Sequence, residues 1–305
     1  MDKLDKILDC KAIFEQDMKR VKDMIHDWVL TPTLEIITMN NEPASKVYVR
    51  NKMKDCEKLG IKVKLTEIDP ECNEDAVTAA IDSSTAHSII VQLPLPKYID
   101  TNTVLQCVPW YKDVDGMTVI NRGGLFTGSS WMPPATAIGI YNAFKKKNKW
   151  NIPMEGKHCV IINRSNLVGK PLSMIMMAEG ATVTVCNSHT VDLKKYTQDA
   201  DILIVAVGKP KFITADMVKP DSIVIDVGIN RDENGKLCGD VDFENVKEVV
   251  GHITPVPNGV GLLTRGALME NIVWGALYQT KYSGMIKELN SLNSDLWRRP
   301  FTQDF

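Results

Sequence analysis

The sequence predicts an α/β fold of two domains, each built on a parallel sheet. Three observations carry that expectation. Short apolar runs alternate with segments of helical periodicity along nearly the whole chain, the order that gives βαβ units with right-handed crossovers. A length of 305 residues suits two domains at about 150 residues each. Pro133-Pro134 breaks the chain between two series of such units.

The first series opens with an amphipathic helix over 3–29, with Leu4, Ile7, Leu8, Ile13, Phe14, Met18 and Val21 on its apolar side. Leu34–Met39 reads as a strand, Pro43–Leu59 as a helix, Val63–Ile68 as a strand, Glu74–Ile81 as a helix and Ser88–Leu93 as a strand. Asp100–Cys107 reads as a short helix. After the diproline, Ala135–Lys147 is a helix whose end carries Lys145, Lys146 and Lys147, with Lys149 just beyond. That charge reads as a solvated helix C-terminus favoured by the dipole. It lacks the interleaved aromatics of a nucleic-acid site. The second series runs through strand His158–Arg164, helix Gly169–Glu179, strands Thr182–Cys186 and Asp201–Val207, a helical turn at Ala215–Val218 and strand Ser222–Val227. A long apolar helix follows at Val260–Lys281, with Leu262, Leu263, Leu268, Ile272, Val273 and Leu277. The polar tail still carries Leu289, Leu292, Leu296, Trp297 and Phe301, which are expected to pack back on the first domain. The expected division is 1–143 with 280–305, and 144–279.

Composition narrows the function. Lys plus Arg is 36 and Asp plus Glu is 38, a net charge of −2, which argues against a main role on nucleic acid or an anionic membrane. No apolar stretch approaches the roughly 20 residues that span a bilayer. Met1-Asp2-Lys3-Leu4-Asp5 lacks the apolar run of a signal peptide. The seven cysteines form no Cys-x-x-Cys pair and no zinc-ligand spacing, so no metal is expected. Cys159 and Cys186 sit in apolar runs and read as buried, inert thiols. The pattern suits a reducing, cytoplasmic compartment.

The clearest ligand signal is in the second series. Strand His158–Arg164 leads through Ser165-Asn166-Leu167-Val168-Gly169-Lys170-Pro171 into a helix, and the first amides of such a helix attract an anion. The loop has one glycine where the dinucleotide fingerprint has three, so an ordinary strand-to-helix turn stands at even odds. About 20 residues on, where NAD-binding folds place an acid for the ribose hydroxyl, the chain has Asn187 and Ser188. A missing acid and a nearby Arg164 favour the 2′-phosphate of NADP, against a structural salt bridge for Arg164. Gly208, after the third strand, and Gly228-Ile229-Asn230, after the fourth, allow close backbone approach, though turns alone also call for glycine.

In the first series Ser45, Tyr48 and Lys52 share one helix face. Spacing alone makes Lys52 a solvated amine beside a half-buried phenol, with proton transfer as the alternative. Gln92 ends a strand in Val91-Gln92-Leu93-Pro94-Leu95-Pro96, at the sheet edge where open α/β folds bind ligands. Lys112-Asp113-Val114-Asp115-Gly116 is a charged loop. As an EF-hand it would start at Tyr111 and need Glu at position 122, which is Arg, so calcium is excluded. Asp115 then reads as a solvated carboxylate or as an acceptor for an amino-heterocycle.

Together these segments resemble the methylenetetrahydrofolate dehydrogenase/cyclohydrolase family, from about Pro43 to Asn271. The resemblance rests on Ser45 to Lys54, Val91 to Pro96, Lys112 to Gly116, Arg164-Ser165 with Val168 to Pro171, Ala206 to Pro210, Thr214 to Pro220, Ile225 to Asn230, and Pro255 to Gly261, in that order. It implies a substrate domain and a Rossmann-like NADP domain with a cleft between them. The implied reaction is oxidation of 5,10-methylenetetrahydrofolate by NADP and hydrolysis of the methenyl product to 10-formyltetrahydrofolate, in one-carbon metabolism, by a homodimer.

The resemblance also implies roles. Lys52 would be catalytic in hydrolysis, Gln92 would hydrogen-bond it, Tyr48 would stack on the folate and Asp115 would hold the pterin amino edge. Pro255, Val256 and Gly259 would lie in a loop closing over the folate. Arg164 and Ser188 would take the 2′-phosphate, and Asn163, Ser165, Val168, Gly169, Pro171, Gly208 and Ile229 would line the rest of the nucleotide site. The chain departs from the family pattern at Asn163, where Gly is frequent, at Pro134-Ala135-Thr136-Ala137 and at Asn258-Gly259 with Leu262-Leu263. A dehydrogenase with weak cyclohydrolase, a silent homologue and an NADP dehydrogenase of a non-folate substrate remain as alternatives.

Overall fold

The computed structural model describes residues 5–40, 42–145 and 150–289, with Pro43, Ala44 and 281–289 as backbone only. The chain divides into two compact units. One holds Asp17–Ala135 with residues from Ala267 on, and the other holds Thr136–Gly266 with the N-terminal stretch up to Gln16. The elements run α1 (Cys10–Asp27), β1 (Thr33–Thr38), α2 (Pro43–Lys58), β2 (Lys62–Glu67), α3 (Glu74–Asp82), β3 (Ser88–Gln92), α4 (Thr101–Gln106), α5 (Val119–Thr127) and α6 (Ala135–Phe144). They continue with β4 (His158–Ile162), α7 (Gly169–Ala178), β5 (Thr182–Cys186), α8 (Leu193–Thr197), β6 (Ile202–Val205) and a 3₁₀ turn at Ala215–Met217. β7 (Ile223–Asp226), β8 (Asn230–Arg231), β9 (Leu237–Cys238), α9 (Phe243–Val249), β10 (His252–Ile253) and α10 (Val260–Leu289) complete the described chain.

The sheet of the Asp17–Ala135 unit is parallel with order β2-β1-β3. β1 is central, so both its faces need cover, and its residues alternate between two apolar clusters. Leu34 and Ile36 pack with Val21, Val49, Cys56, Ile90, Leu268 and Ile272. Ile37 and Met39 pack with Val77, Ile81, Ile89, Val91 and Val104. The apolar character of β1 around Glu35 follows from this double burial. β2 is at the edge and stays largely open to solvent. Side chains fix the helix starts. Asp100 Oδ1 accepts from the amides of Asn102 and Thr103, at 3.0 and 3.4 Å, and Thr118 Oγ1 accepts from that of Asn121 at 3.3 Å.

The other sheet is parallel with order β10-β7-β6-β4-β5. β4 comes first in the chain. Its successor β5 lies on one side and β6 on the other, so the strand order reverses at β4/β6. Doubly wound sheets place ligands at such a reversal, at the carboxyl ends of the strands.

The helix expected over 3–29 begins only at Cys10. Residues 3 and 4 lie outside the described chain. Ile7 and Leu8 are extended, not helical. Ile7 bridges in parallel to Ile253, Leu8 N donates to Ile253 O and Ile253 N to Lys6 O, both at 2.9 Å. Asp9 then accepts from Ala12 N at 2.8 Å and starts the helix. The apolar spacing at Ile7 and Leu8 fitted a helix, but edge-strand pairing satisfies their backbone instead. Helices α5, α8 and α9, the β8–β9 hairpin and β10 lie in stretches read as connections. The tail at 290–305 and Lys146, Lys147 and Lys149 lie outside the described residues. Lys145 is described, and it pairs with Glu179 at 2.9 Å.

Two constraints in the first unit generate predictions. Arg20 Nη2 donates to Asp17 Oδ1 at 3.1 Å and to Glu270 Oε2 at 2.7 Å, tying α1 to α10. Burial pushes the Asp17 carboxyl up to about 6, with Arg20 opposing and Glu270 reinforcing the shift. A raised acid favours the protonated folded state. Its contribution is full below the ordinary value near 3.8 and is lost as pH rises through about 6. Asp17→Asn keeps the neutral form at every pH. Its stability relative to wild type should therefore rise by up to about 3 kcal/mol between pH 4 and 7 in urea titrations. Gly116 has φ +66°, and a Cβ there would lie 2.5 Å from Pro134 N and 2.6 Å from Met132 O. Gly116→Ala should cost more than about 2 kcal/mol of unfolding free energy, because left-handed strain adds to a backbone clash.

Candidate active site

The Asp17–Ala135 unit gathers its polar side chains at the carboxyl edge of its sheet, where the order reverses at β1/β3. Thr38 and Gln92 end those strands as register partners. Asn40 Nδ2 donates to Pro94 O at 2.7 Å and pins the two following loops together. α2 leaves β1 and carries Tyr48 and Lys52 one turn apart. Lys52 Nζ donates to Gln92 Oε1 at 3.2 Å and lies 3.8 Å from Asp115 Oδ2. Gln92 Nε2 donates to Leu93 O at 2.8 Å, so the amide can turn only its oxygen to the ammonium. Gln92 is buried, whereas the Lys52 and Asp115 side chains remain 16% and 27% exposed. Tyr48 is 43% exposed, and partial burial raises its phenol above the ordinary value, so it stays protonated near neutrality. Ser45 Oγ is buried on the same helix and has no hydrogen-bond partner among the described residues.

Asp115 owes its position to Asp113. Asp113 bridges to Ile89 beside β3 and is almost fully buried. Its carboxylate accepts from the amides of Met117 and Thr118, at 3.0 and 2.7 Å, and from Asn121 Nδ2 at 3.0 Å. Burial raises its pKa against those donors. Asn271 Nδ2 closes the loop on Val114 O at 2.8 Å and Pro133 O at 3.1 Å. The loop is thus rigid up to the residue that faces Lys52. The cluster offers a half-buried ammonium between an amide oxygen and a carboxylate, with an open aromatic ring beside it. Such a set can stack a flat heterocycle, accept from its amino group and move a proton.

The second unit presents its expected nucleotide residues at the β4/β6 reversal. Ile162 pairs with Cys186 and with Val205, so Arg164, Ser188 and Gly208 all follow the same edge. Arg164 and Ser188 are exposed and have no hydrogen-bond or ion-pair partner among the described residues. Among the described residues, no salt bridge forms at Arg164. Asn187 Oδ1 is occupied by His189 N at 2.9 Å. A guanidinium and a hydroxyl on neighbouring strand ends, with no carboxylate beside them, are the donor set a ribose 2′-phosphate needs, so these residues fit NADP.

The helix start itself differs from the simple expectation. The amides of Val168 and Gly169 already bond Ser165 Oγ at 3.1 Å and Asn163 Oδ1 at 3.0 Å, and Lys170 N bonds Ser165 O at 3.0 Å. Pro171 has no amide hydrogen. The first turn of α7 is therefore capped from within and offers an anion less than an open helix end would. Asn163 also accepts from Ser165 N at 2.8 Å and donates to Ala206 O at 2.6 Å, joining the β4 and β6 loops. Its side chain shapes the loop, with both polar ends engaged. In the Pro255–Gly261 segment Asn258 takes φ +69°, a left-handed geometry that asparagine tolerates, and Leu262 N bonds Gly259 O at 2.9 Å as α10 begins. Pro255 and Val256 are half-buried and Gly259 is buried; Ile229, after β7, is exposed.

Sequence reasoning missed Asp113, Asn271, Asp226 and Asp240. Asp226 closes a buried apolar strand, and a carboxylate in that setting must find donors. That was the one legible signal. The other three depend on partners far along the chain. No described helix is long and apolar enough to cross a membrane.

The chain matches known proteins over both units. Residues 8–115 match the family model of the tetrahydrofolate dehydrogenase/cyclohydrolase catalytic domain, and residues 134–280 match that of its NAD(P)-binding domain. The chain is 50% identical over 249 residues to the bifunctional protein FolD of Nitrosospira multiformis, covering 80% of this chain and 85% of that protein. It is similar to the crystal structure of the bifunctional FolD methylenetetrahydrofolate dehydrogenase/cyclohydrolase of Campylobacter jejuni, with a TM-score of 0.86, 39% identity and coverage of 90% and 99%. It is also similar to the Trypanosoma brucei dehydrogenase-cyclohydrolase complexed with NADP and an inhibitor, with a TM-score of 0.84, 27% identity and coverage of 90% and 98%. The chain belongs to the tetrahydrofolate dehydrogenase/cyclohydrolase family.

Proposed function

We propose that the chain oxidises 5,10-methylenetetrahydrofolate with NADP and hydrolyses the 5,10-methenyl product to 10-formyltetrahydrofolate. The observation that carries this reading is the Lys52 ammonium held between Gln92 Oε1 and Asp115. Hydrolysis adds water to an amidinium carbon. Both protons of that water must leave it, one reaching the departing folate nitrogen and the other the solvent. Lys52 is the group placed to move them, and Gln92 holds it in reach. Tyr48 gives an exposed ring for stacking, and Asp115 accepts from the amino edge of the pterin. When bound, NADP supplies the hydride acceptor. That step asks the chain for alignment and not for a side-chain base. Arg164 and Ser188 bind the 2′-phosphate, and the loops through Gly169, Gly208 and Ile229 carry the rest of the nucleotide. The Asp17–Ala135 unit with residues from Ala267 on serves the folate, and the Thr136–Gly266 unit serves the nucleotide. The family resemblance supports a homodimer, and seven unbridged cysteines suit a cytoplasmic setting.

The test is a spectrophotometric assay of purified protein with 5,10-methylenetetrahydrofolate and either NADP or NAD, following reduced nicotinamide and methenyl product together. The expected result is NADP-dependent reduction with little methenyl accumulation, and hydrolysis of added methenyl substrate well above its spontaneous rate. Absence of reduction with both nucleotides would overturn the proposal. Lys52→Ala should lose at least about 100-fold in hydrolysis and less in hydride transfer. An unaltered hydrolytic rate would remove Lys52 from its role. Arg164→Ala should raise the KM for NADP about tenfold or more, through loss of charge-assisted hydrogen bonds.

A further inference from the structure

We propose that Asp240 is a positioning residue for nucleotide binding, acting through the backbone turn that follows β6. The inference rests on the proposed NADP reading of this edge. Asp240 is completely buried, so it touches no ligand. Its Oδ2 accepts from Val207 N at 2.6 Å and Gly208 N at 3.0 Å, and its Oδ1 from Lys209 N at 2.9 Å. Asn230 Nδ2 adds a fourth donor at 2.8 Å. Three successive amides converging on one anion form a nest, the arrangement that elsewhere binds phosphate. Here the protein fills the nest from inside with its own carboxylate. The outer side of the turn is open, since a Cβ on Gly208 would meet nothing within 4 Å. One face of the turn is thus anchored and the other is free at the β4/β6 reversal.

The anchor is itself anchored. Asp226, at the end of β7, accepts from Asp240 N and Val241 N at 3.0 Å and from Gly228 N at 2.9 Å. Gly228 lies so close to the Asp240 carboxyl that a side chain there would collide with it. Two buried carboxylates in series therefore tie the β8–β9 hairpin to the ends of β6 and β7. Such a chain costs desolvation, which the hydrogen bonds from the loop amides offset. What it supplies is one fixed shape for the Val207-Gly208-Lys209 turn. Neutralising the carboxylate leaves those amides under-satisfied and lets the turn leave that shape before the nucleotide arrives.

Asp240→Asn keeps the size of the side chain and removes the anion. NADP is titrated into the wild-type and variant proteins by calorimetry without folate, alongside thermal melts. Hydrolysis of methenyltetrahydrofolate without nucleotide reports on the Lys52 unit. The proposal expects the Kd and KM for NADP to rise about tenfold, with kcat at saturating NADP within about threefold of wild type. Nucleotide-free hydrolysis should be preserved, and the variant should still melt cooperatively, at a lower temperature than wild type. Unchanged NADP affinity in the folded variant would overturn the positioning role. A parallel collapse of melting temperature and both activities would also overturn it, by assigning Asp240 to the fold. A wild-type protein that binds no NADP would instead overturn the functional reading beneath it.

Discussion

Where a parallel strand ends, the amides that follow lose their ladder partners at the edge where ligands bind. Leaving such groups buried and unpaired costs about 1–3 kcal/mol each. This chain meets that constraint with side chains. Asp113 takes the amides of Met117 and Thr118. Asn163 takes those of Ser165 and Gly169. Asp240 takes three after β6, and Asp226 takes three around β7. The two units share no sheet, yet both solve the same problem in the same way.

The chemistry of each edge follows from what remains. Once the loop amides are engaged inside the protein, they no longer compete for the side chains that face outward. Lys52, Asp115 and Tyr48 remain partly open on one edge, and Arg164 and Ser188 on the other. The proposed anion recognition in the second unit rests on a guanidinium more than on a helix end, because α7 is already capped by Ser165 and Asn163. A guanidinium addresses a terminal phosphate with two parallel donors, which a bare ribose hydroxyl cannot match. The proposed preference for NADP over NAD thus rests on the capping as well as on the missing acid at Asn187.

Both sheets were legible in the sequence because their inner strands are buried on two faces. Ile202–Val205 and Val160–Ile162 admit no polar residue, and a short apolar run between helical segments has few other readings. Lys52, Tyr48 and Gln92 were legible because helix spacing and strand-end position are local. Two-residue strands such as β8, β9 and β10 carry no periodicity, and their pairing is decided by partners elsewhere. The N-terminal stretch shows the same limit, since Ile7 and Leu8 suit either a helix face or an edge pairing and only Ile253 decides between them. Asp113 and Asp115 are chemically identical and two positions apart. One is buried under amides and the other faces an ammonium, a difference the motif does not contain.

Two of the departures from the family pattern, Asn163 and Asn258, fit this account. A glycine before Arg164 would leave the Gly169 amide without a side-chain acceptor. Asn163 provides that acceptor and also clamps the loop to Ala206. Asn258 adopts the left-handed geometry that a glycine would otherwise supply, and asparagine pays little strain for it. Each substitution thus exchanges backbone freedom for a hydrogen bond or a tolerated dihedral. Neither removes a group that faces a ligand. The loops are stiffer than glycine would make them, while Lys52, Gln92, Asp115, Arg164 and Ser188 keep their places at the carboxyl edges. Rigid loops under unaltered reactive groups favour retention of both steps over a silent scaffold, because a scaffold freed from catalysis has no reason to keep a half-buried ammonium paired with Gln92 and Asp115.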